Sequence, residues 1–491
     1  MALNSENSIF SNQNYLGFII IRPIPKTFLA KVCLSPFYLK DRSSKYFITK
    51  QYHISLFGIS LSIETIAFQE QDKVLSACAT TSLWAFYHAH KSLCHDTILS
   101  SSEITKSAYS EERGYSREFP NNGLSTEMIS RSLRKQNLSP EYFEFKEDTK
   151  TRLQELIYAY CSNGIPMILG VLVKDEEGIS KGLHAITILG YSIKPTTTNL
   201  ISQGLEKIYA HDDRYGPYLK MKLKDKSLEI ELNGNKKLNA VSKKEIYEVN
   251  TLILGLYHKI RIPYIPIKNT CFALSDNIKD FIRSRENITK NELEQFCKMI
   301  DDIKWDIAIT ENSILKGELL KANIEDKKRH LSNSLPKYIW NAKAKVEDEI
   351  LFQLLFDATD IEQGDVFVEY ISYGEISNLI YKILKYYAKE KIEENINTDR
   401  FDINEEDDNY INGLLKYLNK EESYKESLDD LFGYLKMPLL IKPEEIENNI
   451  INSSKLFREN LKNSDNFMLD VKQGDYIWLI DKEGFLCIGV E

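Results

Sequence analysis

No stretch of this sequence reaches the ~18 to 20 consecutive apolar residues that a membrane-spanning helix needs. The opening MALNSENSIFSNQNY also has no basic segment ahead of an apolar core. Such a chain is expected to be soluble, with no membrane partner, and to stay where it is made. Paired cysteine motifs are missing too. The seven cysteines, Cys33, Cys78, Cys94, Cys161, Cys271, Cys297 and Cys487, are an odd, scattered set without a CxxC. That excludes a disulfide framework and points to a reducing cytoplasm. An excess of basic charge is absent as well: the net charge is -9 and the pI near 5.6, so no nucleic-acid partner is expected. With no internal repeat and no phosphate loop either, no cofactor is expected.

What is present is ample apolar material. At 491 residues and 43% apolar composition, the chain can fill more than one ordinary core, so two domains or more are expected. The segment from Gln71 to Phe86, QDKVLSACATTSLWAF, is the most informative. Ser76 is placed to cap a helix, Ala77, Ala79, Thr80 and Thr81 leave room around a sulfur, and Leu83, Trp84 and Phe86 supply an apolar side. Cys78 then falls in the first turn, where unpaired N–H groups and the helix dipole favour thiolate over thiol.

A thiol nucleophile needs a base and a group to orient it. Ile165 to Val173 (IPMILGVLV) reads as a buried strand, DEEGISKG as a hairpin turn, and the run from His184 to Tyr191 as the next strand. Lys207 to Asp212 (KIYAHD) forms another, stopped by DRYGPY. In an antiparallel meander the start of the second strand lies beside the end of the third, which brings His184 to Asp212. A cysteine at a helix start, a histidine and a carboxylate, in that order, are the nucleophile, base and orienting group of thiol catalysis.

These residues resemble the papain-like cysteine peptidases, in particular the bacterial branch near the bacteriocin-leader-processing (double-glycine) peptidases. The features shared with that family are Gln71, Cys78, Gly164-Ile165-Pro166, His184-Ala185-Ile186 and Asp212 followed by Gly216. The resemblance spans Phe68 to Tyr218 and implies a catalytic Cys78, His184 and Asp212, with Gln71 donating to the oxyanion. Two departures leave alternates open. The family's glutamine stands six residues before the cysteine, where this chain has Asp72, so Gln69 is the alternate to Gln71. Asp213 is the alternate to Asp212, taking the role where the strand ends one residue later. The implied activity is hydrolysis of a peptide or isopeptide bond, on a protein or peptide substrate. The rival readings are acyl transfer by the same trio and a non-catalytic interaction or sensor protein on a papain-like fold. The Lys-, Ile- and Asn-rich composition points to an AT-rich bacterial genome.

The expected architecture is α+β: a β-rich N-terminal extension at residues 1–67, a papain-like helix-plus-antiparallel-sheet domain at 68–258, and a second α+β domain at 259–491. The extension, with GFIIIRPI, FLAKVCL and HISLFGISLSIETIAF, reads as an appended β-layer or a propeptide-like cover. Tyr247 to Tyr257 reads as a strand and HKIRIPYIPIK as the crossover between domains. Beyond it, helical patterns cover Ser275 to Ser284, Lys290 to Ile303, Glu375 to Lys391 and Glu444 to Leu461. Extended ones cover Tyr338 to Ala344, Glu349 to Phe356, Val366 to Tyr373 and a last hairpin, YIWLIDKEGFLCIGV. This domain is assigned substrate selection, binding of a protein partner or regulation. The acidic NEEDDN reads as a solvated loop. His88, His90, Cys94 and His95 (HAHKSLCH) have ligand types at helical spacing, but no second ligand pair stands at metal-site distance, so they read as the polar face and end of the Cys78 helix and no metal is expected.

Overall fold

In the computed structural model, which describes residues 15–23, 28–36, 44–70, 78–93, 98–109, 123–146, 148–175, 177–230, 245–285, 289–361, 366–394, 409–420, 476–480 and 486–490, the chain opens with β-structure. Strands β1 (Gly17–Ile21) and β2 (Leu29–Leu34) make one hairpin, and β4 (Lys50–Leu56) and β5 (Ile59–Thr65) another; β3 (Ser44–Phe47) lies between them in sequence. Helices α1 (Cys78–Ala89), α2 (Ser101–Ala108) and α3 (Thr126–Lys135) follow, then β6 (Leu138–Glu144) and α4 (Thr149–Cys161). The meander comes next: β7 (Met167–Lys174), β8 (Ser180–Ile193), β9 (Leu205–Asp212), β10 (Gly216–Leu223), β11 (Ser227–Ile230) and β12 (Ile246–Tyr257).

These strands build an 8-stranded antiparallel sheet in the order β11-β10-β9-β8-β7-β12-β6, with β3 on β8. Because β11 also pairs with β12, the strands from β12 through β7, β8, β9 and β10 to β11 close on themselves. The three-strand meander expected from the sequence is therefore present, and β12 occupies the position beside β7. β3 extends the same sheet: Phe47 stands opposite Gly190 and Ser44 opposite Ile193. The N-terminal residues thus contribute a strand to this sheet.

Apolar runs without alternation arise because the central strands are covered on both faces. Ile168, Ala185 and Ile253 face α1 with Ala79, Leu83, Phe86 and Tyr87. Their neighbours Leu169, Ile186 and Leu252 face the other way, toward Leu153, Leu156, Ile157 and Tyr160 of α4. Each such side chain, fully buried, stabilises by roughly 1.5–3 kcal/mol. Gly255 lets α1 approach β12. A Cβ there would stand 2.8 Å from Phe86 Cζ and 3.0 Å from Leu133 Cδ2, so alanine would push the Phe86 ring and the Leu133 tip aside.

The helix itself departs from expectation. His88 and His90 are buried rather than lying on a polar face. His88 Nδ1 pairs with Tyr52 Oη at 3.1 Å and His90 Nε2 with the Gly255 carbonyl at 2.8 Å. Burial pushes both pKa values down, to about 3 and about 4. The helix packs on β8, and Tyr52 of β4 and Gly255 of β12 close over these two histidines, a cover that helical spacing alone does not reveal. Cys94 and His95 lie outside the described residues.

After β12, α5 (Tyr264–Arg283) and α6 (Lys290–Asp301) lead into a 4-stranded antiparallel sheet, β13 (Lys304–Glu311), β14 (Tyr338–Val346), β15 (Glu349–Asp357) and β16 (Phe367–Ser372). Helices α7 (Asn312–Lys321) and α8 (Lys327–Ser332) sit between β13 and β14 in sequence; α9 (Glu375–Glu394) and α10 (Ile411–Lys420) follow β16. The expected crossover is shorter than it reads, since Tyr264 already begins α5 with Pro266 inside its first turn, where a missing N–H costs nothing. Described residues from Tyr46 to Leu418, drawn from both sheets, share one large core. Trp340 Nε1 donates to the Ile262 carbonyl at 2.8 Å, its ring meets Tyr160 edge-on at 5.3 Å, and Tyr158 Oη donates to Asp306 Oδ1 at 2.7 Å. The expected helix at Glu444 to Leu461 and most of NEEDDN lie outside the described residues.

A separate unit, residues 425–491, contains the antiparallel hairpin of β17 (Tyr476–Ile480) and β18 (Leu486–Val490). No helix among the described residues is long and apolar enough to cross a membrane.

Candidate active site

Cys78 is the first residue of α1 and is half-buried, whereas Cys33, Cys161, Cys271 and Cys297 are buried. Burial pushes the Cys33 thiol up to about 11, and those of Cys161 and Cys271 upward as well. The position of Cys78 is fixed one turn further along the helix. Ser82 Oγ donates to the Ala185 carbonyl at 2.7 Å, and Thr187 Oγ1 donates back to the Ser82 carbonyl at 2.8 Å. These buried bonds lock α1 in register with β8, beside the residue that follows His184.

His184 has Cys78 as a neighbour whose side chain favours the charged imidazole. Its Nε2 donates to Asp212 Oδ1 at 3.1 Å, while Asp213 Oδ1 stands 3.4 Å from the same nitrogen. The pairing follows from register: Thr187 of β8 is opposite His211 of β9, so the residues just beyond them converge. Asp212 is fully buried and its acceptor sites are filled. The Arg214 backbone N–H donates to Oδ1 at 2.9 Å and Tyr247 Oη to Oδ2 at 2.8 Å. Gly216, opposite Asp212, holds a φ of +131° that other residues rarely adopt, and so ends the turn that presents this carboxylate.

Electrostatics follow the geometry. Burial disfavours the His184 imidazolium, but the hydrogen bond to Asp212, the Cys78 side chain and the charges of Asp212 and Asp213 outweigh it, raising the pKa to about 10. Burial pushes Asp212 upward, yet the donors from His184, Arg214 and Tyr247 hold it below the usual carboxylate range. Asp213 goes the other way. Burial comes first and the Asp212 charge adds to it, so despite the nearby imidazolium its pKa rises to about 6. Neither of its oxygens has a hydrogen-bond partner among the described residues. Asp213 lines a small cavity with Phe68, Gln69, Thr81, Ser82 and His211, roomy enough for about one water.

Of the residues expected from sequence, Cys78, His184, Asp212 and Asp213 come together. Gln69 reaches the cavity beside Asp213, and Gln71 lies outside the described residues. Two contributors were not anticipated. Tyr247 holds Asp212 and packs edge-on against His184 with ring centroids 5.8 Å apart. Glu245 gathers Lys181 Nζ at 3.1 Å, Arg214 at 2.8 Å and Tyr215 Oη at 3.0 Å, tying the start of β8 to the turn after Asp212. Alternation along β12 marks Tyr247 as inward, but which strands flank it is not a local property. His184, Asp212 and Asp213 are also the group among the described residues whose donor atoms could hold a metal ion.

No protein family and no curated protein matches this chain in sequence.

Proposed function

We propose that the chain is a papain-like thiol hydrolase that cleaves a peptide or isopeptide bond through Cys78, His184 and Asp212. The observation that carries this reading is the half-buried thiol at a helix start, neighbouring a histidine whose Nε2 is held by a buried, fully satisfied aspartate. With Nε2 given to Asp212, the other ring nitrogen serves Cys78. His184 takes the thiol proton and the thiolate attacks the carbonyl carbon, forming a C–S bond. The oxyanion is met by the Cys78 backbone N–H, which has no intrahelical partner at the first helical position, and by the side-chain amide of Gln71, with Gln69 as the alternate. His184 returns the proton to the departing amine, and water releases the acyl group by the reverse sequence. Asp212, in the grip of Tyr247 and Arg214, keeps the imidazole in place and stabilises its charge.

The substrate of this reading is a protein or peptide, and the role given to residues 259–491 is to select it, bind a protein partner or regulate the site. A cytoplasmic location fits the free, scattered cysteines. The test is the pH-dependent rate of Cys78 alkylation by iodoacetamide, read by peptide mapping, in the parent and in His184→Ala. Fast labelling at neutral pH that slows with the histidine change is the expected result. Slow labelling in both, at the rate of Cys33, would move the assignment to a non-catalytic scaffold. New protein N-termini generated in a bacterial lysate by the parent, and absent with Cys78→Ala, are expected from a peptidase. Product that forms only with added amine would indicate acyl transfer instead.

A further inference from the structure

In the thiol chemistry Asp213 contributes only its charge beside His184. Its side chain is 2% exposed, its oxygens lack hydrogen-bond partners among the described residues, and it faces the nitrogen that Asp212 already holds. The cation it meets is the His184 imidazolium, 3.4 Å away and shared with Asp212, and a buried carboxylate that shares one cation and accepts no hydrogen bond is unfavourable. Two carboxylates and an imidazole are a donor set suited to zinc.

The spacing agrees. His184 Nε2 is 3.1 Å from Asp212 Oδ1 and 3.4 Å from Asp213 Oδ1, and donor atoms of the three residues all lie within 4.8 Å of one another. Ligands about 2.0–2.2 Å from a tetrahedral zinc stand roughly 3.3–3.6 Å apart. The small cavity on the far side of Asp213, with room for about one water, adjoins this donor set through Asp213 alone.

We propose that His184, Asp212 and Asp213 form a binding site for a divalent transition-metal ion, zinc by its donor preference, and that occupancy switches the thiol site off. The binding stands on geometry alone; the switching rests on the thiol-hydrolase reading. The ion takes the Nε2 lone pair, the Nε2 proton leaves to solvent, and no atom changes oxidation state. Coordinated through Nε2, His184 loses its hydrogen bond to Asp212 and no longer carries an imidazolium charge beside Cys78. The sequence gives no hint of this, because its ligands stand alone or as a turn-forming Asp-Asp pair.

The test uses the full chain and zinc chloride alone, with bound metal measured after equilibrium dialysis. Parent and Cys78→Ser are each expected to hold about one zinc, and Asp213→Asn to bind at least about tenfold more weakly, in line with loss of one ligand. Binding that survives Asp213→Asn but is lost in Cys78→Ser would overturn the proposal, since the thiol would then be the holder. So would failure of the parent to bind. Cobalt in the unmutated chain checks this without relying on a variant fold. Tetrahedral visible absorption without a thiolate charge-transfer band is expected, and a strong such band sinks the proposal. Stoichiometric zinc should also slow Cys78 alkylation, reversibly with a chelator. Zinc bound without that slowing removes the switching role, whereas slow alkylation before zinc is added counts against the hydrolase reading only.

Discussion

Among the described residues two buried histidine–carboxylate pairs stand out, one at the 8-stranded sheet and one where α8 meets the 4-stranded sheet, and they differ in what comes third. In the first sheet His184 Nε2 meets Asp212 at 3.1 Å, and the ring also meets the half-buried thiol of Cys78. In the second, His330 of α8 meets Glu369 of β16 through Nδ1 at 2.7 Å, and the same carboxylate oxygen accepts from Asn333 at 2.8 Å. Side-chain exposure is alike, 5% and 0% for one pair and 5% and 2% for the other. A buried histidine–carboxylate pair is therefore a structural element by itself. A half-buried thiol at a helix start sets the first pair apart and is what the proposed hydrolysis draws on.

The largest effect separates the pairs by reactivity. His184→Ala is expected to slow peptide hydrolysis by about 10²- to 10⁴-fold and to slow Cys78 alkylation at neutral pH, with His330→Ala leaving both unchanged. Equal losses in the two variants would break the comparison.

Stability should report the opposite emphasis. His330→Ala leaves the buried Glu369 without one of its hydrogen-bond partners and is expected to cost about 1–3 kcal/mol in urea denaturation. Tyr247→Phe removes one donor to the ionised Asp212 and should cost about 1.5–3 kcal/mol, with partial loss of activity. A Tyr247 variant with parental stability and rate would show that Asp212 is held without it.

The pH dependence sharpens the picture within the first pair. The His184 pKa is raised to about 10, so its pairing contributes stability that is fully present below about pH 6.5 and is lost as pH rises through about 10. Asp213 is also raised, to about 6, so the fold favours its protonated form and loses stability as pH climbs from about 4 through 6. Asp213→Asn should accordingly stabilise the protein by about 1–3 kcal/mol at pH 7 and make no difference near pH 4. Denaturation curves at the two pH values check the sign. The smallest effect belongs to Ser82→Ala, about 1 kcal/mol for the bond that registers α1 on β8.

The thiol's setting was readable because its determinants are local. Small residues around Cys78, apolar runs at 165–173 and 184–191, and turn residues after Asp212 each specify a short piece of backbone, and consecutive antiparallel strands leave little choice of neighbour. The same logic failed for His88 and His90. Their helical spacing is polar, and the cover that buries them comes from Tyr52 and Gly255, far away in sequence. Expecting a crossover at His258 to Lys268 gave weight to prolines that in fact sit at a helix start.

By itself the sequence determined the α+β character, the helix presenting Cys78, the strands carrying His184 and Asp212, and the order in which these residues meet. Only the tertiary structure decided that β12 lies beside β7 and brings Tyr247 onto Asp212, and that β3 joins the sheet of the site. It also decided that residues 259–420 share a core with the first sheet and that Asp213 is left without a donor. The physical reason is range. Helix starts, strand periodicity and turns are set by residues a few positions apart, whereas strand order and the satisfaction of buried polar groups are set by contacts between segments distant in sequence.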